Sequence, residues 1–209
     1  MNKKVNIIVD STADITEDVK ERLTVVPLTL RFGDEEYIEG VTIQKKEFYQ
    51  KLIESDVLPK TSQAVPADFS DIFEKIAAAG ESAVVITLSS KLSGTWQSAM
   101  IAAREYEDSV YVVDSRSVAI GAAILAKLAL RLVDEGMGAR EIAERLEKER
   151  EKICLIAMLD TLEYLKKGGR ISAAAAFAGG VLSIKPVVCI RDGEIVILGK
   201  ARGSKQGNN

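Results

Sequence analysis

Ala83-Val84-Val85-Ile86-Thr87-Leu88-Ser89-Ser90-Lys91-Leu92-Ser93-Gly94-Thr95-Trp96-Gln97-Ser98-Ala99 reads as a buried strand, a hydroxyl-rich loop and the first turn of a helix. A strand feeding a helix through such a loop is the repeating unit of an α/β sheet. The opening turn of a helix leaves about four backbone N–H groups unpaired and carries the positive end of the helix dipole, so a carboxylate or phosphate is stabilised there. Ser89, Ser90, Ser93 and Thr95 add hydroxyls beside those donors, and Gly94 lets a ligand approach the backbone closely. The same residues also make an ordinary N-cap with polar neighbours. The segment alone leaves both readings open.

Working outward, Val5 to Val9, Val25 to Leu30 and Val110 to Val113 are further short apolar runs rich in β-branched residues. Helical patterns separate them: Thr16 to Leu23, Gln44 to Glu54, Asp68 to Ala78, Gly94 to Tyr106, Val118 to Glu135 and Ala139 to Lys152. This alternation predicts a parallel sheet with helices on both faces, closing an N-terminal α/β domain over residues 1–152. The charges from Arg140 to Lys152 read as a solvated helix face. Residues 153–209 follow as a partial second α/β domain, with strands at Cys154 to Met158, Lys185 to Ile190 and Glu194 to Gly199. The last two are joined by the hairpin signal Asp192-Gly193. A helix from Thr161 to Lys167 and an alanine-rich stretch from Ser172 to Ala178 lie between the first two of these strands. Three short strands make an incomplete sheet, so the second domain is expected to lack elements.

Composition removes several function classes. The 209 residues contain no histidine, which excludes a Ser-His-Asp triad, a histidine zinc site and imidazole acid–base chemistry within them. A net charge of −3 argues against nucleic acid as the main partner. The apolar run ending at Asp10 is too short for a signal-peptide core, and Val118 to Val133 is interrupted by Lys127 and Arg131 and too short to span a bilayer. A cytoplasmic protein without a membrane span is the expectation. Cys154 and Cys189 lie in apolar, strand-like contexts and read as buried, unreactive thiols, with neither a metal site nor a disulfide framework indicated.

Ligands of α/β sheets bind at the carboxyl ends of the strands, and those ends are polar here: Asp10-Ser11-Thr12, Thr87-Leu88-Ser89-Ser90 and Asp114-Ser115. Lys60-Thr61-Ser62-Gln63, between Pro59 and Pro66, reads as an ordered loop that adds two hydroxyls. Together these segments form a ring of donors suited to one carboxylate or phosphate. A serine nucleophile needs a base, and only Lys60, Lys91, Asp10 or Asp114 is available. Neither nucleotide-binding glycine pattern is present. Arg170 follows Gly168-Gly169, so a tight turn aims it at a ligand anion or a partner, while Lys166 and Lys167 compensate a helix C-terminus.

The set Val9-Asp10-Ser11-Thr12-Ala13-Asp14-Ile15, Lys60 to Gln63, Leu88 to Thr95, Val113-Asp114-Ser115 and Asp160 to Ile171 resembles, in order and spacing, the DegV family of bacterial fatty-acid-binding proteins. The resemblance implies a lipid carrier without catalytic residues, metal or cofactor. It implies two α/β domains with a long-chain fatty acid of the palmitate or oleate type between them, its tail in a tunnel. Thr61 and Ser93 are implied as the carboxylate ligands, with Ser62, Gly94, Thr95 and Arg170 completing the fatty-acid site. A fatty acid kinase is the implied partner, forming the acyl phosphate used in phospholipid synthesis, with Arg170 and Arg202 facing the head group or that kinase. Family members continue past Lys205 with a histidine-bearing segment, so the resemblance marks this chain as C-terminally truncated. Two alternatives stay open from the residues: a phosphotransferase or hydrolase acting on a small anion in the same crevice, and an inactive truncated fragment.

Overall fold

The computed structural model describes residues 3–171 and 184–202. The chain forms two compact units, Met1–Ile153 and Cys154–Asn209. The first contains β1 (Val5–Asp10), α1 (Glu17–Lys20), β2 (Leu23–Val26), β3 (Thr29–Phe32), β4 (Glu35–Ile38), α2 (Lys45–Glu54), β5 (Lys60–Ser62), α3 (Pro66–Ala78), β6 (Ser82–Thr87), α4 (Thr95–Ala103), β7 (Val110–Asp114), α5 (Ile120–Asp134) and α6 (Ala139–Glu149). The second contains β8 (Ile156–Met158), α7 (Glu163–Lys167), β9 (Ile184–Arg191) and β10 (Glu194–Arg202).

The main sheet is parallel, in the order β2-β1-β6-β7. Every residue of β6 is buried, as its continuous apolar run requires of a central strand covered on both faces. Alternation sorts the side chains. Ile7, Val9, Val84, Ile86 and Val113 pack with Leu125, Ala129, Ile142 and Leu146 of α5 and α6. Ile8, Ala83, Val85 and Val110 pack with Phe69 and Phe73 of α3 and Ala99 and Ala102 of α4. Continued to the strand ends, the same period-two register puts Asp10, Thr87 and Asp114 on the α3/α4 side. Pro66 at the first position of α3, and Asp68 accepting the Val65 N–H at 2.8 Å, start that helix.

One expected strand, Val25 to Leu30, is two strands. Pro27 interrupts the run: β2 joins the parallel sheet, whereas β3 belongs to a separate antiparallel sheet ordered β4-β3-β5. Gly33, at φ 59°, turns β3 into β4, and Leu30, Phe32 and Ile43 form the core of this small sheet with Tyr37 and Phe48. Residues 60–62, expected as a loop, are its third strand, with Thr61 opposite Leu30 and Ser62 opposite Thr29. Ser11 ties the two sheets. Its Oγ donates to Glu39 Oε2 at 2.6 Å and accepts from the Leu28 N–H at 2.9 Å.

The second unit is an antiparallel sheet in the order β10-β9-β8 around Leu162, Ile171 and Val188. Asp192 and Gly193, at φ 51° and 83°, make the tight turn between β9 and β10 that their sequence announces. Cys189 is buried, but Cys154 is exposed, because β8 begins two residues later than the apolar run suggests. The alanine-rich stretch lies outside the described residues. Among the described residues no helix is long and apolar enough to cross a membrane.

Candidate functional site

Strand order reverses at β1: its sequence neighbour β2 lies on one side and β6 on the other. The crevice above such a switch point, at the carboxyl ends of the strands, is where α/β sheets place ligands. Asp10 closes the base of that crevice. Its carboxylate, 1% exposed, accepts the Leu88 N–H at 2.6 Å, the Thr12 N–H at 3.0 Å and the Thr12 hydroxyl at 2.5 Å. Burial pushes the Asp10 carboxyl above its ordinary value, against the pull of these three donors. Asp114 holds the far side of the loop, accepting from Ser90 Oγ at 2.6 Å, from the Ser90 N–H at 3.2 Å and from the Arg116 N–H at 2.9 Å. The two carboxylates are thus spent on shaping residues 88–90. Lys60 and Lys91, the other two possible bases, are exposed.

From Ser89 the loop winds into α4. The Ser89 carbonyl accepts the N–H groups of Leu92 and Ser93, and Ser89 Oγ accepts that of Lys91. Ser93 Oγ lies 2.9 Å from Thr95 Oγ1 and accepts the Thr95 N–H at 3.3 Å, so two hydroxyls sit together at the positive end of the helix. Ser93 and Gly94 are half-buried and Thr95 is buried. The site is made of neutral donors.

Thr61 and Ser62 are exposed on β5, and the residue after them brings this strand to α4. Gln63 Nε2 donates to Ser98 Oγ at 2.9 Å, and its carboxamide lies over Gly94, where an added Cβ would come within 2.0 Å of Gln63 Oε1. The Thr-Ser-Gln and Ser-Gly-Thr segments therefore meet through Gln63 and Gly94. Gln63 and Ser98 were missed as site residues by sequence reasoning. The signals were slight: a glutamine directly after the two hydroxyl residues, and a serine one turn into the helix.

Arg170 and Arg202 belong to the second unit, and both are exposed. The Gly168 N–H bonds to the Tyr164 carbonyl and the Arg170 N–H to the Leu165 carbonyl, which is the tight helix end expected of Gly168-Gly169. The Arg170 guanidinium donates to the Gly168 carbonyl. Lys167 pairs with Glu163 at 2.6 Å, in keeping with a local role. A concavity of about 410 Å³ on the open edge of β7, lined by Met100, Tyr111, Arg140 and Glu144 among others, shares no residue with the loop.

A family model described as "uncharacterised protein, DegV family" matches residues 4–208. The chain belongs to the DegV family. A DegV domain-containing protein of Caldanaerobacter subterraneus is 38% identical over 208 residues, covering 98% of this chain and 74% of that protein. Among solved structures, a fatty-acid-binding DegV family protein of Thermus thermophilus superposes with a TM-score of 0.86 at 34% identity, covering 98% of this chain and 73% of the other. A DegV family protein of Ruminococcus gnavus, described with vaccenic acid, gives 0.86 at 28% identity, with 98% and 74% covered. The DegV fold thus accounts for the parallel sheet and its flanking helices, and the hydroxyl-lined start of α4 lies within the matched residues.

Proposed function

We propose that this chain is a carrier that binds a long-chain fatty acid through its carboxylate at Thr61 and Ser93, with Ser62, Gly94 and Thr95 around the head group. The observation that carries the reading is the convergence of Thr61–Gln63 on the first turn of α4, in a chain whose solved relatives include fatty-acid-binding DegV proteins. Affinity comes from the tail. About a dozen buried methylenes at roughly 0.8 kcal/mol each supply about 10 kcal/mol before ordering costs. Hydroxyls and N–H donors need only orient the head group, and they leave a carboxylate oxygen open to phosphorylation where a buried ion pair would compete for it. The proposed partner is a fatty acid kinase, with Arg170 and Arg202 of the second unit as the residues that face it. The small-anion enzyme reading is not favoured, because Asp10 and Asp114 are engaged with the loop.

Lipid extraction and mass spectrometry of the protein purified from bacteria, followed by titration with palmitate and oleate, test the proposal. A co-purifying fatty acid, or uptake of added palmitate or oleate lowered by Thr61→Val and Ser93→Ala, is expected. A ligand-free protein that refuses both acids overturns it. Acyl phosphate formation with a fatty acid kinase, reduced by Arg170→Ala or Arg202→Ala, is the expected result for the partner.

A further inference from the structure

We infer that Gln63 is a positioning residue for the carboxylate site: it sets the spacing between the Thr61 and Ser93 hydroxyls by clamping β5 onto the first turn of α4. The inference rests on the head-group site proposed above. Its basis is the reason for a glycine at position 94. Gly94 has φ −77° and ψ 4°, a conformation open to any residue, so its backbone does not demand glycine. Space does. A Cβ there would stand 2.0 Å from Gln63 Oε1, 2.7 Å from Cδ and 2.9 Å from Nε2, so the carboxamide fills the place a side chain would take.

The carboxamide is also held from the other side. Nε2 donates to Oγ of Ser98, a buried residue one turn further along α4, whose N–H bonds to the Gly94 carbonyl at 3.0 Å. Gln63 therefore touches both ends of the first turn while its backbone continues directly from Thr61 and Ser62. Thr61 lies two residues before the clamp and Ser93 one residue before the glycine it covers. The Gln63–Ser98 bond thus ties the strand that carries Thr61 to the helix turn that follows Ser93. Gly94→Ala acts through the same contact as Gln63→Ala, since the new methyl displaces the carboxamide and breaks the bond to Ser98.

The test is a double-substitution cycle in the full chain, with Gln63→Ala, Gly94→Ala and both together, read by titration with palmitate and with hexadecan-1-ol, which shares the tail but carries no carboxylate. Each single change is expected to weaken palmitate binding roughly three- to tenfold, the range of one hydrogen bond. The double variant is expected to be no weaker than either single, with hexadecan-1-ol affected far less than palmitate. Gln63→Glu is expected to weaken palmitate binding at neutral pH more than hexadecan-1-ol binding, because the introduced carboxylate repels the head group. Should Gly94→Ala fail to fold, Ser98→Ala serves in its place, with the same lack of additivity expected. Additive losses, or equal losses for acid and alcohol, overturn the inference while leaving the fatty-acid proposal standing. If the unmodified chain binds no palmitate, the proposed function fails and the positioning role fails with it.

Discussion

At the residue scale, Asp10 shows how a buried carboxylate can serve architecture. Its sequence context, Asp-Ser-Thr after a strand, reads as a turn, and half of its role is local, to Thr12. The other half, to the Leu88 N–H across 78 residues, depends on β1 and β6 being neighbours and is not legible from sequence. Asp10→Ala strands the buried Leu88 donor and is expected to cost roughly 2 kcal/mol of stability in urea unfolding. Asp10→Asn keeps one acceptor but turns the other oxygen into an NH2 that faces either the Leu88 N–H or the Thr12 N–H, so it is expected to be destabilising as well.

Glu39 is half-buried, and burial, with a smaller contribution from the charge of Asp10, pushes its carboxyl up against the Ser11 hydrogen bond and the attraction of Lys45. A raised value means that the folded chain keeps a proton that the unfolded chain has already lost. The stability from this group is therefore complete below the unfolded value and lost as pH rises through the folded one. Glu39→Gln keeps an acceptor for Ser11 and removes the titration. Measured as unfolding free energy against pH, its advantage over the unmodified chain is expected to be largest at neutrality and to shrink as the pH falls toward about 4 to 5.

At the scale of elements, legibility followed burial. The main-sheet strands β1, β6 and β7 are apolar runs whose only stable place is between two layers of helix, so pattern alone finds them. The small sheet escaped because its strands are three or four residues long and largely exposed, as in Glu35-Glu36-Tyr37-Ile38 and Lys60-Thr61-Ser62. Pro27 and Gly33 were the punctuation that marked it. Gly33, at φ 59°, has nothing within 4 Å of where a Cβ would lie, so Gly33→Ala incurs only conformational strain. A loss of about 1 kcal/mol in thermal or urea unfolding is expected, with α5 and α6 undisturbed.

At the scale of the whole chain, the first unit owns three hydrophobic clusters among the described residues and the second a small one of its own. A fragment of residues 1–153 is expected to unfold cooperatively in urea, as followed by circular dichroism, because those three clusters lie wholly within it. Two hydrogen bonds described above, Ser11 to Glu39 and Gln63 to Ser98, join the small sheet to the loop after β1 and to α4. The small sheet they hold has strands of three or four residues and a core of its own around Leu30, Phe32 and Ile43, so it is expected to open at lower cost than the fully buried β6. Amide protons of β3 to β5 are expected to exchange with solvent sooner than those of β6, as measured by hydrogen exchange in the native state. A head group held by Thr61 and Ser93, as proposed, is therefore expected to slow the amide exchange of a whole sheet that it touches at a single strand.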